Sequence, residues 1–334
     1  MFGYLRLLFD NFTLILLAVV ATATLLPAHG QGAVFFEWLT MAAIALLFFM
    51  HGAKLSRTAI IAGATHWRLH LLVFSCTFLL FPLIGILAKP VLVPLLGQQL
   101  YMGVLFLCVL PGTVQSAIAF TSLAGGNVPA AVCSASASSI LGIILTPLLV
   151  ALLMQLDASD STSPLHSIGA ISMQLLLPFV LGHSMRPIIG HWVDKNKKQL
   201  SRIDQTSILL VVYTALSASV VEGLWTTVST GELANLTLVC CVLLALILFL
   251  TAWLGRRLGF SHEDQITIVF GGSKKSMATG VPMAQVLFTG SMLGPALLPL
   301  MIFHQIQLMV CAVMAQHYAR KGQDIKTSVS VNNN

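Results

Sequence analysis

Long apolar runs separated by short polar breaks set the strongest limit on how this chain can fold. A helix needs about 20 residues to cross a hydrocarbon core roughly 30 Å thick, and only 8% of the 334 residues are charged. About ten runs are long enough, whereas barrel strands would alternate apolar and polar residues. The sequence therefore predicts an all-α, polytopic protein in the lipid bilayer. The predicted spans are 12–28, 33–52, 69–88, 100–123, 129–153, 167–187, 206–224, 235–255, 264–288 and 293–317.

Basic residues are distributed unevenly between the two sets of loops. If the N-terminus is inside, the predicted cytoplasmic loops hold fourteen lysines and arginines, and the outer loops hold only Lys89. Such a bias sets the orientation of membrane proteins. It predicts a multi-pass inner-membrane protein with both termini in the cytoplasm. The net charge of +6 then reflects topology, and no nucleic-acid partner is expected.

A polar stretch at 156–167, LDASDSTSPLHS, divides the predicted spans into five and five. An odd number of spans in each half means that the second half enters the membrane with the opposite orientation. Inverted repeats of this kind are common in secondary transporters. The sequence thus predicts a first repeat at 1–155, a second at 166–318 and a disordered cytoplasmic tail at 319–334.

The fourth span of each half is interrupted by one segment rich in small residues. The two segments read PGTVQSA at 111–117 and GGSKKSM at 271–277, at a constant offset of 160 residues. Glycine and proline break the helical hydrogen-bond ladder, which membranes tolerate only beside protein or a water-filled cavity. Paired broken helices favour a binding site near the bilayer midplane. The alternative is that these residues serve close packing or a kink.

Lys274 and Lys275 lie within the second interrupted segment. Each charge costs about 2.5 to 3.5 kcal/mol at the bilayer centre, and both lie too far from the span ends for their stems to reach water. At least one is expected to face a polar cavity. An ammonium there could attract an anionic substrate, replace a bound metal cation or exchange a proton. The nearby oxygen donors complete the predicted site: Gln115, Ser116, Ser273 and Ser276.

Secondary site candidates are polar residues in neighbouring spans. Ser134 and Ser138 share a helix face at i and i+4, although membrane serines more often serve packing. His304, flanked by two glutamines, is the histidine best placed for a proton relay or gate. His51 lies near a span end and is interpreted as interfacial. No enzyme or nucleotide-binding motif is found, so the sequence predicts neither an enzyme nor a cofactor.

Five stretches carry a family resemblance that covers nearly the whole chain. They read LFFMHGAKLSR, LPGTVQSAIAFTSLAGGNV, LLLPFVLGH, FGGSKKSMATGVPMAQVLF and LPLMIFHQIQLMV. The chain resembles the SBF-like branch of the bile acid:sodium symporter superfamily, solute carrier family 10. This resemblance implies a panel domain of the first, second, sixth and seventh helices. The remaining six helices would form a core domain, with the fourth and ninth helices unwound where they cross.

The resemblance also implies a sodium site at the crossing and a substrate crevice between panel and core. The family's fourth-helix serine falls on Ser116, and its third-helix glutamine falls on Thr77, so sodium could bind at these two residues. The other ligand positions depart from the family pattern, most of all where a carboxylate is lost and two ammonium groups are gained. We therefore hypothesise that a lysine replaces at least one sodium ion. The departing positions are Ala117, Ala131, Ala135, Phe270, Lys274 and Lys275.

The sequence thus predicts a secondary transporter that moves an organic, anionic small-molecule solute by alternating access. The coupling ion would be a proton or, if the departures are tolerated, sodium; transport without sodium is the expectation. A second hypothesis comes from the same resemblance, because eukaryotic relatives in this branch are linked to calcium homeostasis. In that case the protein would regulate ion homeostasis in the membrane without solute symport.

Overall fold

The protein is helical throughout the parts that the structure, a computed structural model, describes: residues 11–54, 66–154, 164–288 and 292–332. No strand occurs in these ranges, so the all-α class is confirmed for them. The helices are α1 (Asn11–Leu25), α2 (Gln31–Lys54), α3 (Trp67–Leu87), α4 (Lys89–Val109), α5 (Gln115–Leu123), α6 (Val128–Met154), α7 (Pro164–Lys195), α8 (Lys197–Val221), α9 (Thr230–Arg257), α10 (His262–Gly272), α11 (Met277–Leu287) and α12 (Leu293–Asn332), with a single helical turn at Leu224–Thr227.

Seven of the described helices are long and apolar enough to cross a membrane, namely α2, α3, α4, α6, α8, α9 and α12. This confirms a multi-pass helical membrane protein. Helix α1 is a shorter apolar helix, and the fourth and ninth predicted spans are each divided between two helices. Helices α5, α10 and α11 have 9, 11 and 11 residues and are each too short to cross a membrane alone. The count of ten crossings therefore stays a prediction.

The first predicted interruption separates α4 from α5 at residues 110–114. Leu110 is extended, with φ −71° and ψ 154°, because the ring of Pro111 disfavours a helical conformation in the residue before it. Helix α4 also bends at Gly97, whose φ of 75° is left-handed and suits glycine. The chain therefore reaches the break through a short half-helix, residues 98–109.

The second predicted interruption separates α10 from α11 at residues 273–276. Ser276 is extended, and its hydroxyl accepts a hydrogen bond from the backbone N–H of Thr279 over 3.3 Å. Serine in this position caps a helix because it satisfies one of the first unpaired backbone donors. Both interruptions that glycine, proline and serine indicated are thus present.

The helices pack as two groups. Helix α7 packs along α2, and α8 packs against both α1 and α2. In the other group α12 packs against α4 and α9, and α10 packs against α3, α5, α6 and α9. The groups meet where α7 packs against α6 and where α8 packs against α11 and α12. The division into panel and core domains, and the inverted repeats, stay predictions.

Helices α2 and α7 cross with their backbones in contact. A Cβ atom on Gly52 would overlap the carbonyl oxygen of Phe179, and one on Gly182 would overlap that of Phe49. Membrane helices lack a hydrophobic driving force between them, so small residues that permit close approach contribute much of the packing. The two glycines therefore fix the distance between α2 and α7.

We expect Gly182→Ala to lower the thermal stability of the purified protein by several degrees. The added methyl would force the two backbones apart and remove contacts along the whole crossing. Thermal unfolding in detergent measures the effect. Gly32→Ala is the control, because its Cβ would meet nothing within 4 Å; equal melting temperatures for the two variants would contradict the close crossing.

The C-terminal end differs from the sequence prediction. Helix α12 continues to Asn332, whereas residues 319–334 were predicted to be a disordered tail. The reason is local: an established helix adds residues without a new nucleation cost, and Arg320, Lys321 and Gln323 are good helix formers.

Candidate functional site

The two helix breaks touch each other. The backbone N–H of Ser276 donates to the carbonyl oxygen of Pro111 over 2.9 Å, so each break satisfies a backbone group of the other. The N–H of Gly112 donates to the Ser138 hydroxyl over 3.1 Å. Because unpaired backbone groups are costly within a membrane, the breaks are sustained by the protein groups around them.

The Lys275 ammonium lies in a ring of backbone carbonyl oxygens. It donates to the carbonyls of Thr77, Cys108 and Leu110 over 2.8, 2.7 and 2.7 Å. Its nitrogen also lies 4.1 Å from the centre of the Phe81 ring. An ammonium has three donors, so each N–H has one acceptor although the side chain is fully buried.

The carbonyl of Thr77 is available because α3 contains a π-helical turn, Cys76–Leu80. The N–H of Phe81 bonds to the Cys76 carbonyl instead of that of Thr77. The next residue, Pro82, has no N–H to donate. The sequence of α3 thus leaves one acceptor unpaired at the place where the Lys275 ammonium arrives.

The carbonyl of Cys108 is available because α4 ends there. In a continuous helix it would accept from Gly112, whose N–H bonds to Ser138 instead. The last carbonyls of a helix have no partner within it, and they form the negative end of the helix dipole. The half-helix at 98–109 therefore presents a site for a positive charge, and Lys275 fills it.

Lys274 is held differently, mainly by aromatic rings. Its ammonium lies 3.9 Å from the centre of the Phe120 ring and 5.2 Å from that of Phe270, and it donates to the Ser116 carbonyl over 3.0 Å. A cation over a ring face is attracted by the ring's quadrupole. Both ammonium groups are thus fully buried and contacted by carbonyl oxygens and aromatic rings from α3, α4, α5 and α10.

Gln307 of α12 clamps the backbone of the second break. Its Oε1 accepts from the Lys275 N–H over 2.9 Å, and its Nε2 donates to the Lys275 carbonyl over 2.8 Å. The same Nε2 lies 2.8 Å from Nδ1 of His304. The amide replaces both backbone hydrogen bonds that Lys275 loses at the break, and it connects His304 to the Lys275 backbone.

A cavity of about 330 Å³ lies between the two helix groups. One wall comes from α1, α2 and α8, and the other comes from both breaks, α5, α6, α11 and α12. The predicted residues Gln115, Ser116, Ser276 and His304 line it, as does His51. Neither lysine is among the lining residues, because carbonyls and rings already surround the ammonium groups. The expectation that one lysine faces a polar cavity is therefore not met here.

An ion pair borders the same cavity. Lys54 at the end of α2 contacts Oδ2 of Asp204 in α8, and Asp204 lines the cavity together with His51. His51 is directed by a 2.8 Å hydrogen bond between Nδ1 and the Leu47 carbonyl. The sequence interpretation of His51 as merely interfacial overlooked this location.

The hydroxyl groups predicted for the site mostly serve the backbone. Ser273 donates to the Val269 carbonyl over 2.6 Å, and Thr77 donates to the Val73 carbonyl over 2.9 Å. The Ser134 hydroxyl lies 2.6 Å from Nδ1 of His70. These contacts stabilise the helices around the breaks and leave Ser273 and Ser134 outside the lining of the cavity.

The residues present do not form a sodium site of the family type. The Ser116 hydroxyl bonds to that of Thr113 over 2.8 Å, and the Thr77 hydroxyl is engaged within α3. Three carbonyl oxygens that could bind a cation already hold Lys275. The former ligand positions that carry alanine or phenylalanine are buried and offer no side-chain oxygen: Ala117, Ala131, Ala135 and Phe270.

Sequence reasoning missed two important side chains. Gln307 was noted only as a neighbour of His304, although two polar residues at i and i+3 on one face of an apolar span were a usable signal. Asp204 was overlooked because it stands next to a strongly basic stretch and before the predicted start of its span. An acidic residue among cytoplasmic bases was the available signal.

Two interrupted helices that meet beside a cavity, in a helical membrane protein, are typical of transporters. The sequence profile of the SBF-like CPA transporter family matches residues 10–320. The chain belongs to this family, which confirms the resemblance drawn from its motifs.

Relatives cover nearly the whole chain. A Pseudomonas aeruginosa protein named "Uncharacterized protein PA2026" is 63% identical over 97% of both chains. An Escherichia coli protein named "Putative symporter YfeH" is 59% identical over 95% of both chains. The zebrafish (Danio rerio) protein named "Sodium/bile acid cotransporter 7" is 27% identical over 83% of this chain and 82% of its own.

Proposed function

We propose that the protein is a secondary active transporter that moves a small organic solute across a bacterial inner membrane by alternating access. The observation that carries this proposal is the cavity between the two helix groups, because both helix breaks border it. A transported solute must be reachable from one side at a time, and a cavity between two bodies allows this when one body moves against the other. The family and the symporter names of relatives favour transport over a purely regulatory role.

The proposed moving bodies are a panel of α1, α2, α7 and α8 and a core of the remaining helices. The cavity reaches His51 and Asp204, which lie beside the basic loop predicted to be cytoplasmic. At the other end of α8, Ser219 lies beside Gly294 near the start of α12. We propose that the cavity at His51 and Asp204 opens to the cytoplasm, and that a second cavity of about 270 Å³, lined in part by Glu37, Thr214 and Gln285, belongs to the outer side.

The Lys275 ammonium takes the place of a coupling cation in this proposal. Three carbonyl oxygens surround it at the end of a half-helix, which is where discontinuous helices hold sodium in other transporters. Transport would therefore proceed without sodium. A proton exchanged elsewhere along the pathway remains a coupling ion consistent with this arrangement, and His304 beside the breaks is the candidate residue.

The sequence argument for an anionic solute rested on lysines that would face the substrate. Both ammonium groups are instead engaged by carbonyls and rings. The proposal therefore retains an organic solute of a size that fits about 330 Å³, and the charge of the solute is decided by the groups that line the cavity.

Uptake by the purified protein in proteoliposomes tests the function. A mixture of labelled bacterial metabolites is offered outside, and we expect accumulation of at least one solute that is unchanged when choline replaces sodium. Ala119→Trp should abolish it, because Ala119 lines the cavity and the indole would fill the space. Ala245→Trp is the control, since Ala245 is exposed on α9 away from the cavity. Uptake that requires sodium would contradict the coupling proposal, and equal uptake by both variants would contradict the pathway.

A further inference from the structure

Asp204 has one carboxylate oxygen that no group in the described part of the chain satisfies. Its Oδ2 contacts the Lys54 ammonium, whereas Oδ1 is buried and makes no hydrogen bond to any described residue. The residue is 6% exposed and lines the cavity between the helix groups. A buried charged acceptor without a donor is costly, so a cavity ligand that brings a donor would be stabilised there.

The surroundings of Asp204 favour a positive ligand. Among the described residues that line the cavity, Asp204 is the only Asp, Glu, Lys or Arg. Lys54 approaches from the end of α2 and is not itself a lining residue. The ammonium groups of Lys274 and Lys275 are also absent from the lining and are bound to carbonyls. Among the described lining residues, the charged group that a solute meets is therefore the Asp204 carboxylate, with His51 and His304 as the other titratable side chains.

A second unsatisfied oxygen lies on the opposite wall. The hydroxyl of Ser139 in α6 is buried, has no hydrogen-bond partner among the described residues and lines the same cavity. Phe12 and Phe120 also line the cavity, and the Phe120 ring centre lies 3.9 Å from the Lys274 ammonium. The cavity thus offers an anionic acceptor, a hydroxyl and aromatic surface, which together suit an organic molecule with a cationic end.

We propose that Asp204 binds the positively charged donor group of the solute, an ammonium or a similar nitrogen cation, through Oδ1. This proposal rests on the proposed transport function and specifies its substrate class: a cationic or zwitterionic organic solute. The Lys54 contact engages Oδ2 and leaves Oδ1 as the carboxylate oxygen without a described partner. Asp204 of the panel and Ser139 of the core would then contact the solute from opposite sides.

Charge-selective labelling of a cysteine in the cavity tests the proposal without a known substrate. Ala119→Cys places an exposed thiol on the wall contributed by α5. The parent carries Cys241→Ser, because Cys241 is exposed whereas the other five cysteines are buried. The labelling rate of the purified protein is measured with 2-aminoethyl methanethiosulfonate, which carries an ammonium, and with the anionic 2-sulfonatoethyl reagent. Methyl methanethiosulfonate corrects for intrinsic thiol reactivity.

We expect the ammonium reagent to be favoured, and Asp204→Asn to lower the ratio of the two rates by about fivefold. Asp204→Glu should retain the preference, because it keeps the carboxylate. Asp194→Asn is the matched control, since Asp194 is an exposed carboxylate that pairs with Arg186 and Lys197 outside the cavity lining. Asp204→Ser is measured in parallel, so that the comparison does not depend on one variant folding.

A ratio that is unchanged in Asp204→Asn and Asp204→Ser, or a preference for the anionic reagent, would overturn the proposal. The result is independent of transport. If proteoliposomes accumulate no solute while the ratio depends on Asp204, the cation site stands and the transport function fails. If transport is observed but the ratio of labelling rates does not depend on Asp204, the transport function stands and the cation site is refuted.

Discussion

Lys275→Met is expected to lower the melting temperature of the purified protein by roughly 10 °C, the largest effect of any single substitution in the site. The side chain is fully buried, and its ammonium is the donor to the carbonyls of Thr77, Cys108 and Leu110. Methionine fills a similar volume but donates no hydrogen bond, so three buried acceptors would be left unpaired. Thermal unfolding in detergent, followed by fluorescence, measures the loss.

Lys274→Met is the matched comparison, with the same substitution at the adjacent residue. It removes one hydrogen bond, to the Ser116 carbonyl, and its thioether can still pack on the rings of Phe120 and Phe270. Its melting temperature should therefore fall much less. Equal decreases in melting temperature for the two variants would mean that the three carbonyl oxygens around Lys275 add no more stability than the single hydrogen bond of Lys274.

Lys275→Ala extends the same prediction to ion binding. The shortened side chain would leave three carbonyl oxygens around a space of ammonium size, and oxygen ligands suit sodium. We expect sodium chloride to raise the melting temperature of this variant above its value in choline chloride, and to have no such effect on the wild type. A variant indifferent to sodium would show that the carbonyls do not form a cation site.

Gln307→Leu is expected to destabilise the protein by about 3 kcal/mol, because it leaves the backbone N–H and carbonyl of Lys275 without partners. It should also abolish transport, since the amide holds the break and His304 in one arrangement. Gln307→Glu keeps an acceptor for the N–H but loses the donor to the carbonyl, so we expect an intermediate loss. Thermal unfolding and proteoliposome uptake measure the two effects.

The control for Gln307 is Gln316→Leu, the same change later in α12 at a residue that is only partly buried. Its stability and transport should remain close to the wild type. If Gln316→Leu destabilises the protein as much as Gln307→Leu, the loss of stability follows from replacing any glutamine of α12. The clamp on the second break would then not be its cause.

The helix breaks could be predicted from sequence because their cause is local. Pro111 prevents its neighbour from being helical, and the serine before α11 caps a new helix. The apolar runs likewise predicted the helical class, since length and hydropathy follow directly from the membrane thickness. These features depend on residues close together in the chain.

The partners of the lysines could not be predicted, because their acceptors are backbone atoms that sequence does not single out. The carbonyl of Thr77 lies 198 positions from Lys275 in the chain and becomes available only through the π-helical turn. From sequence alone, a lysine buried against carbonyl oxygens cannot be distinguished from a lysine that faces water. The prediction of a cavity-facing ammonium was wrong for that reason, and the acid that does face the cavity, Asp204, was overlooked.

A cation that is covalently part of the chain cannot be released on either side of the membrane. If Lys275 occupies the position of a coupling ion, this position carries no net charge across the bilayer in a transport cycle. An electrochemical gradient therefore cannot drive transport through this position. The net direction of movement would then follow the solute's own concentration and charge, together with any proton carried elsewhere. The same molecule could serve uptake in one growth condition and release in another.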